Sequence, residues 1–346
     1  MTFADPAHRF SYSKEQLQKY FDRISLPEIY RTQLVVEGQN VIPDEQLSFL
    51  ANLKKYHLAA IPFENLELHY SPTKTVSLEP QYLFQKIVVR GDGRGGRCME
   101  TNCLFGTVLR SLGFDVYSAG ARVNQAAQPV AATKGWKGPR HDGWCARSAH
   151  ASNNLTDYFL PHRNHMINIV IIANKKYLVD VGFGGSGAPT HPIPLVSDQP
   201  SSNIGSQKIR LLLTSISDNT RKDQQLWCYQ FCHGENRTWI DGYSFTETEF
   251  LPQDFKMMSF FTSTSKTSWF TYRVVCVKQL MENGELVGEM KLYENEVRRR
   301  VRGDSELLAT LTTEEERVHA LEKYLGVKLS EPEVLGIHGM VTQLLG

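Results

Sequence analysis

Residues 90–102 read Arg-Gly-Asp-Gly-Arg-Gly-Gly-Arg-Cys-Met-Glu-Thr-Asn. Glycines this dense disfavour regular structure and let the backbone approach a ligand closely. An apolar pattern with helical spacing follows and ends at Gly113, which predicts a helix that begins close to Cys98. The free N–H groups and positive dipole end of a helix favour a thiolate and can hold an oxyanion. The segment therefore predicts a reactive cysteine at a helix start.

Two other interpretations of this segment are open. A glycine-rich turn before a helix can cradle phosphate, but this one lacks the Gly-Lys-Ser/Thr ending of a P-loop and follows no strand of a βαβ unit. That disfavours nucleotide binding. The segment alone is equally compatible with Cys98 as a small, buried structural cysteine.

The composition limits the class of protein. The chain has 346 residues, 41% of them hydrophobic and 22% charged, which is ordinary for a globular protein of two or three domains. A net charge of +1 provides no general field for nucleic acid or membranes. Met1 to Lys14 shows no secretion signal, and the apolar run at 167–173 is too short to cross a bilayer. Six cysteines are too few for a disulfide scaffold. We expect a cytosolic protein.

The hydrophobic period changes along the chain from helical to strand-like. Ser13 begins a capping box, and further helices are expected from Pro43, over 77–90 and from Cys98. Strands are then predicted at 116–123, 165–172, 176–181, 208–214, 272–279 and 289–294, with a last helix from Thr313. Helices followed by strands and then by a mixed segment indicate the α+β class.

Two polar residues frame a predicted hairpin. His165 opens one strand and Asp180 closes the next. A two-residue turn at Ala173-Asn174 would pair Asp180 with Ile167 and place His165 one diagonal step away, within about 7–8 Å. A three-residue loop without a bulge would put the two side chains on opposite faces. If they meet, Asp180 fixes the tautomer of His165, whose other nitrogen takes the proton of Cys98.

Metal binding is the alternative use of these side chains. His162 and His165 form one candidate pair, and Cys228, Cys232 and His233 form a candidate set. Neither shows the four-ligand closure of a structural zinc site. We therefore predict no metal.

The sequence resembles the arylamine N-acetyltransferase family. The resemblance rests on Arg94-Gly95-Gly96-Arg97-Cys98 with a polar helix start after it, and on Val179-Asp180-Val181-Gly182-Phe183-Gly184. Each motif alone is moderately specific, and the two together are quite specific. Further similar stretches lie at 20–24, 61–66, 104–105, 112–114, 121–123, 254–255 and 264–270, so the resemblance covers most of the chain.

The resemblance implies an α+β fold with an N-terminal helical bundle, a central antiparallel β-barrel and a C-terminal α/β lid, around a Cys-His-Asp core like that of cysteine proteases. The corresponding domains are 1–115, 116–240 and 241–346. The polar stretch 124–160 reads as a long insertion. It is longer than expected for bacterial members and resembles fungal or other eukaryotic members, so we expect it to shape the cleft.

The resemblance also assigns site residues. The family triad maps onto Cys98, His165 and Asp180. The other positions follow from the resemblance alone: Phe183 and Val123 for the acceptor, Gly184 and Ser268 for CoA.

The implied activity is ping-pong acyl transfer from acetyl-CoA, or another acyl-CoA, to an arylamine or hydrazine. No permanently bound cofactor, nucleic acid or membrane partner is expected. The rivals are a cysteine hydrolase of the papain or transglutaminase kind, with the same triad, and a non-catalytic binding module. Arg122 and the arginines at 298–302 are candidates for CoA phosphates, although a solvated strand face is the favoured interpretation of the run.

Overall fold

A computed structural model describes residues 9–31, 42–124, 165–234, 238–266 and 268–346. The predicted insertion at 124–160 lies outside the described residues except for Asn124, and His162 lies outside them too. None of the described helices is both long enough and apolar enough to cross a lipid bilayer.

The first third of the chain is helical, as predicted. Its described helices are α1 (Lys14–Arg23), α2 (Glu28–Arg31), α3 (Pro43–Ala60), α4 (Glu67–Tyr70), α5 (Pro80–Phe84, continued by a π-helical turn at Gln85–Val89) and α6 (Cys98–Ser111). Ser13 caps α1, and its Oγ accepts a hydrogen bond from the backbone N–H of Gln16 at 3.3 Å, which confirms the capping box. Leu50 and Leu53 of α3 are fully buried in the core that these helices share.

An antiparallel sheet of eight strands follows. Its strands are β2 (Asp115–Val123), β3 (His165–Ile172), β4 (Lys175–Val179), β5 (Ile193–Pro194), β6 (Ser201–Ser202), β7 (Gln207–Thr214), β8 (Leu226–His233) and β9 (Ile240–Glu249), in the order β5-β4-β3-β2-β9-β8-β7-β6. Only residues 195–200 join the edge strands β5 and β6, and extended chain advances at most about 3.6 Å per residue. The sheet is therefore curled into a half-barrel around an aromatic and aliphatic core.

The register of the β3–β4 hairpin is the one that the sequence predicts. Asn168 pairs with Val179, and Ile172 pairs with Lys175. The two-residue loop Ala173–Asn174 has positive φ angles of 48° and 62°, as a type I′ turn requires. The prediction for this turn is confirmed, and it places the ends of both strands side by side.

A second antiparallel sheet combines distant parts of the chain. Its strands are β1 (Phe63–Glu64), β10 (Val275–Glu282), β11 (Glu285–Tyr293), β12 (Glu296–Val301) and β13 (Asp304–Thr310), in the order β1-β10-β11-β12-β13. The accompanying helices are α7 (Pro252–Thr264, followed by a 3₁₀ turn at Trp269–Thr271), α8 (Glu314–Ala320, continued by a π-helical turn at Leu321–Leu325) and α9 (Glu331–Gly336). The capping box predicted at Thr313 and Glu316 is present.

Both sheets extend across the boundaries of the predicted domains. β1 belongs to the first third of the chain but pairs with β10, Phe63 lying opposite Val277. β9 carries the curled sheet past residue 240, to Glu249. The mixture of helices and antiparallel sheets agrees with the α+β class. The division into three domains, and a lid role for the last of them, stay predictions.

Candidate active site

The glycine-rich turn is pressed against the segment that carries β1. A Cβ atom added at Gly95 would lie 1.9 Å from the carbonyl oxygen of Pro62, so a side chain at this position would collide with backbone. The carbonyl of Gly96 accepts a hydrogen bond from the backbone N–H of Glu64 at 3.0 Å. This contact fixes the turn, and α6 begins two residues later with Cys98 as its first residue.

The start of α6 is capped from within the helix. Arg97 is the residue before the helix, and its extended backbone donates its N–H to the Glu100 carboxylate at 3.0 Å. Cys98 is 6% exposed. The prediction that Cys98 lies at a helix N-terminus is confirmed.

His165 and Asp180 meet at the end of the hairpin. His165 Nε2 lies 2.8 Å from Asp180 Oδ2, and both side chains are buried. The thiol of Cys98 forms a hydrogen bond with the same imidazole. Because Nε2 is engaged by Asp180, Nδ1 is the nitrogen left for the sulfur. Helix α6, strand β3 and the residue after β4 thus bring the three predicted side chains together.

The electrostatics of this group favour an ion pair. Burial lowers the pKa of His165, but the Asp180 carboxylate and its hydrogen bond, together with Cys98, raise that pKa to about 10. Burial raises the pKa of Asp180, whereas His165, Asn102 and the N–H of Gly182 hold it below its usual value. An imidazolium therefore faces Cys98 at neutral pH.

Asn102 is a positioning residue that the sequence analysis did not single out. Its Nδ2 donates to Asp180 Oδ1 at 2.9 Å and to the carbonyl of Met166 at 2.7 Å, and its Oδ1 accepts from the N–H of Val181 at 3.0 Å. It is fully buried. The available signal was its spacing, because a residue four positions after Cys98 lies on the same helix face.

Gly182 lets the hairpin end approach the helix closely. A Cβ atom at this position would lie 2.6 Å from both the Cα of Cys98 and the Nδ2 of Asn102. The backbone N–H of Gly182 also donates to Asp180 Oδ1 at 2.8 Å. The glycine in the Asp-Val-Gly motif therefore keeps sulfur, imidazole and carboxylate within reach of one another.

Aromatic rings surround the imidazole. The centroid of the Phe183 ring lies 6.0 Å from that of His165, and the Tyr243 ring lies 5.1 Å from it. Phe183 is half-buried, as expected for a residue that lines an accessible site. Val123 lies opposite Tyr243 in the sheet, but it is buried in the half-barrel core. The structure thus brings Phe183 to the triad and places Val123 next to Tyr243 in the half-barrel core.

The two residues predicted for CoA lie in different settings. Gly184 has a positive φ of 67°, and a Cβ atom there would meet the Phe63 ring at 2.5 Å. Ser268 is 1% exposed, and its hydroxyl donates to the carbonyl of Thr262 at 2.7 Å. A CoA role for either residue stays a prediction.

A buried ion cluster lies on the other side of the first turn of α6. Lys86 Nζ lies 2.5 Å from Glu67 and 2.7 Å from Glu100. Arg94 Nε lies 3.0 Å from Glu64. We define the ion cluster as these residues with Glu333, whose carboxylate lies 2.8 Å from Arg94 Nη1.

The described side chains offer no evident metal centre: across residues 9–31, 42–124, 165–234, 238–266 and 268–346, no three His, Cys, Asp or Glu side chains are grouped to hold an ion. Of the arginine run, Arg298 pairs with Glu296 at 2.8 Å, while Arg299 and Arg302 lie 3.6 Å and 3.1 Å from Glu282. Arg300 instead donates to Ser186 at 2.6 Å.

Known proteins resemble this chain over most of its length. A family model described as N-acetyltransferase matches residues 46–136 and 145–334. The N-malonyltransferase FDB2 of Fusarium pseudograminearum is 38% identical over 94% of this chain and 92% of its own. The arylamine N-acetyltransferase pineal gland isozyme NAT-10 of Gallus gallus is 28% identical over 69% of this chain and 73% of its own.

A solved structure has the same fold. The arylamine N-acetyltransferase of Mycobacterium marinum in complex with CoA superimposes with a TM-score of 0.69 at 24% identity, covering 95% of this chain and all of the other. Members of this family take a CoA thioester as co-substrate. The chain belongs to the arylamine N-acetyltransferase family.

Proposed function

We propose that this protein moves an acyl group from CoA to the nitrogen of an arylamine or hydrazine through a thioester on Cys98. The meeting of Cys98, His165 and Asp180 in a chain of this family supports the proposal most directly. A buried imidazolium that a carboxylate holds in place is the arrangement that activates a cysteine nucleophile. The cytosol remains the predicted location.

In the first half-reaction the Cys98 thiolate attacks the thioester carbonyl carbon. The new carbon–sulfur bond forms, the bond to the CoA sulfur breaks, and CoA leaves with the proton that His165 gives up. In the second half-reaction a neutral amine attacks the acyl-cysteine, and His165 accepts its proton while the Cys98 thiolate leaves. Aromatic amines suit a site with a single base, because they are neutral at pH 7.

The helix start supplies the remaining chemistry. Helix α6 begins at Cys98, and the first N–H groups of a helix lie at the positive end of its dipole. Such groups can hold the oxyanion of each tetrahedral intermediate, a contribution that typically amounts to about 10²- to 10³-fold in rate. The Phe183 ring lies beside the imidazole, and we propose that it contacts a flat aromatic acceptor.

The acyl group itself has two candidates. An acetyl donor is implied by the family, and a malonyl donor is suggested by the 38% identical relative that is named an N-malonyltransferase. We therefore propose an acyl-CoA donor of either kind at this site. Selection between the two has to come from residues near the sulfur.

Intact-mass spectrometry tests the proposal. Wild-type protein mixed with acetyl-CoA or malonyl-CoA is expected to gain one acyl group and to lose it when an arylamine is added, with the acylated amine as product. Cys98→Ala is expected to gain none, and Cys103→Ala, five residues further along α6, is the matched control that stays competent. An acyl adduct on Cys98→Ala excludes Cys98 as the carrier. Release of free acid with no transfer to the amine identifies a hydrolase instead.

A further inference from the structure

Arg97, which directly precedes the proposed nucleophile, is a buried cation held by neutral groups. The residue is 3% exposed. Nη1 donates to the hydroxyl of Thr262 at 3.1 Å, and Nη2 donates to those of Ser259 and Ser263 at 3.2 and 2.7 Å. The guanidinium also lies 5.1 Å from the centroid of the Phe270 ring. These partners orient the guanidinium but supply no negative charge.

The carboxylate nearest to Arg97 is shared with another cation. Glu100 Oε2 lies 3.5 Å from Arg97 Nε, and within the described part of the chain Nε donates no hydrogen bond. The other oxygen of Glu100 lies 2.7 Å from Lys86. Arg94, by contrast, has carboxylate oxygens at 3.0 and 2.8 Å. Arg97 is therefore less well neutralised than Arg94, although it is equally buried.

Helix α7 contacts both the guanidinium of Arg97 and the apolar cluster that contains the sulfur of Cys98. Phe255 and Met258 of α7 pack in the same apolar cluster as Cys98. Thr262, one turn further along, binds Arg97. An acyl group attached to the sulfur therefore lies beside the helix that presents the arginine.

One of the residues predicted to bind CoA, Ser268, is also connected to Arg97. Ser268, which the resemblance assigns to CoA, donates its hydroxyl to the carbonyl of Thr262, whose own hydroxyl binds Arg97. Phe63 connects the two regions as well, because it packs both in the cluster of Cys98 and against Phe270. A donor that occupies this side would carry its acyl end toward the arginine.

We propose that Arg97 selects the acyl donor by binding the terminal carboxylate of a dicarboxylic acyl-CoA of the malonyl type, an inference that rests on the proposed function. A guanidinium fork matches the two oxygens of a carboxylate, and hydrogen bonds between ions are stronger than those to hydroxyls. The carboxylate displaces hydroxyl partners and supplies the charge that they lack. It keeps its charge through both half-reactions, since only the thioester carbonyl reacts. An acetyl group has a methyl hydrogen there and gains nothing from Arg97.

Acylation rates of the intact protein test this inference. Adduct formation on Cys98 is timed by intact mass, with malonyl-CoA and acetyl-CoA in separate reactions without amine, and the ratio of the two rates is the readout. Wild type is expected to favour malonyl-CoA. Arg97→Met is expected to reduce the ratio roughly 10- to 100-fold, the effect of losing one charged hydrogen-bonding partner. Arg97→Lys, which keeps the charge but loses the fork, is expected to reduce it less. Arg110→Met removes a cation from the other end of α6 and should leave the ratio unchanged.

The outcomes separate the two levels of the proposal. Wild-type protein that gains no adduct from either donor defeats the proposed function, and the Arg97 inference falls with it. Adducts from both donors with an unchanged ratio in Arg97→Met defeat the Arg97 inference alone. A purely structural arginine would slow both donors equally. If circular dichroism shows Arg97→Met to be unfolded, an unchanged ratio in Arg97→Lys overturns the inference in its place.

Discussion

The first turn of α6 separates two buried polar regions that obey different rules. Cys98 and Asn102 face His165 and Asp180, where hydrogen bonds to neutral groups hold one ion pair. On the other side, Glu100 faces the ion cluster, where each charge meets an opposite charge.

The pKa values of the two regions differ accordingly. Burial raises the pKa of Glu64, but Arg94 and Lys86 lower it to about 2. The carboxylates around Lys86 hold the pKa of this lysine above its usual value. Glu64 and Lys86 therefore keep their charges over the physiological range. The triad is tied to only one fixed carboxylate, and its members can exchange protons. The ion cluster and the triad are thus equally buried, but the ion cluster is a fixed structural support and the triad is a reactive centre.

Replacing Asp180 by Asn is expected to have the largest effect. The amide keeps the size of the carboxylate but cannot hold the imidazolium or its tautomer, so acylation of Cys98 should slow about 10³- to 10⁴-fold. Stopped-flow release of CoA measures this rate. Asp223→Asn, at an exposed ion pair with Arg221, is the matched control and should react like wild type. A loss below tenfold would show that Asp180 does not support catalysis.

Replacing Lys86 by Met should destabilise the fold through the ion cluster on the other side of α6. The substitution leaves Glu67 and Glu100 buried with less compensation, and removing one partner of a buried pair typically destabilises by about 3–5 kcal/mol. Urea unfolding measures the change in the free energy of unfolding. Lys176→Met, which removes an exposed pair with Glu247, should lower it by less than about 1 kcal/mol. Equal effects of the two substitutions would mean that the cluster contributes nothing beyond a surface pair.

Replacing Asn102 by Ala asks whether the positioning contacts matter separately from stability. Leaving Asp180 and the Val181 N–H short of partners should destabilise by about 1–3 kcal/mol and lower kcat without raising KM in proportion. Asn168→Ala is the matched control. Asn168 is equally buried and donates to the carbonyl of Asn102 at 3.0 Å, but it makes no hydrogen bond to Asp180 in the described structure. We expect Asn168→Ala to lose about as much stability as Asn102→Ala but to keep its kcat. If both variants lose kcat equally, Asn102 has a structural role only.

The pH dependence of stability should have opposite signs at two buried cations. His165 has a folded pKa of about 10 against an unfolded value near 6.5, so its stabilisation is fully present below pH 6.5 and is lost as the pH rises through about 10. Lys54 is fully buried with the carbonyl of His191 at 2.9 Å, and burial lowers its pKa to about 7 although Asp180 opposes this. Between about pH 7 and 10.5, Lys54 binds more protons in the unfolded chain than in the folded one. This lysine therefore makes the stability of the fold rise with pH over that range.

Urea titrations from pH 7 to 10 can separate the two cations. The stability advantage of wild type over His165→Gln should shrink as the pH rises, with a slope of at most about 1.4 kcal/mol per pH unit. The disadvantage of wild type relative to Lys54→Met should shrink over the same range. Parallel curves for both variants would contradict these assignments.

Local patterns predict much of this molecule. The turn at Ala173–Asn174 fixes the register of the hairpin, and that register brings His165 to Asp180. The capping boxes at Ser13 and Thr313 mark true helix starts, because each depends only on neighbours in the chain.

Contacts between distant residues escape such reasoning. Nothing near Phe63 indicates that it pairs with Val277 in another sheet, and nothing near Arg94 indicates Glu333 as its partner. The side chain of Arg97 lies next to Cys98 in sequence, but its direction depends on α7, which comes more than 150 residues later. The motif therefore locates the proposed nucleophile, whereas the residues that tune its specificity emerge only from tertiary structure.

The link between the glycine-rich turn and the C-terminal segment has a consequence for biosynthesis. Arg94 acquires Glu333, 239 residues further on, and the carbonyl of Asp92 accepts the backbone N–H of Lys328 at 2.8 Å. A ribosome releases these partners long after it has made Cys98. The nascent chain consequently carries Cys98 beside a glycine-rich turn that lacks both of these contacts until residues 328 and 333 have been made.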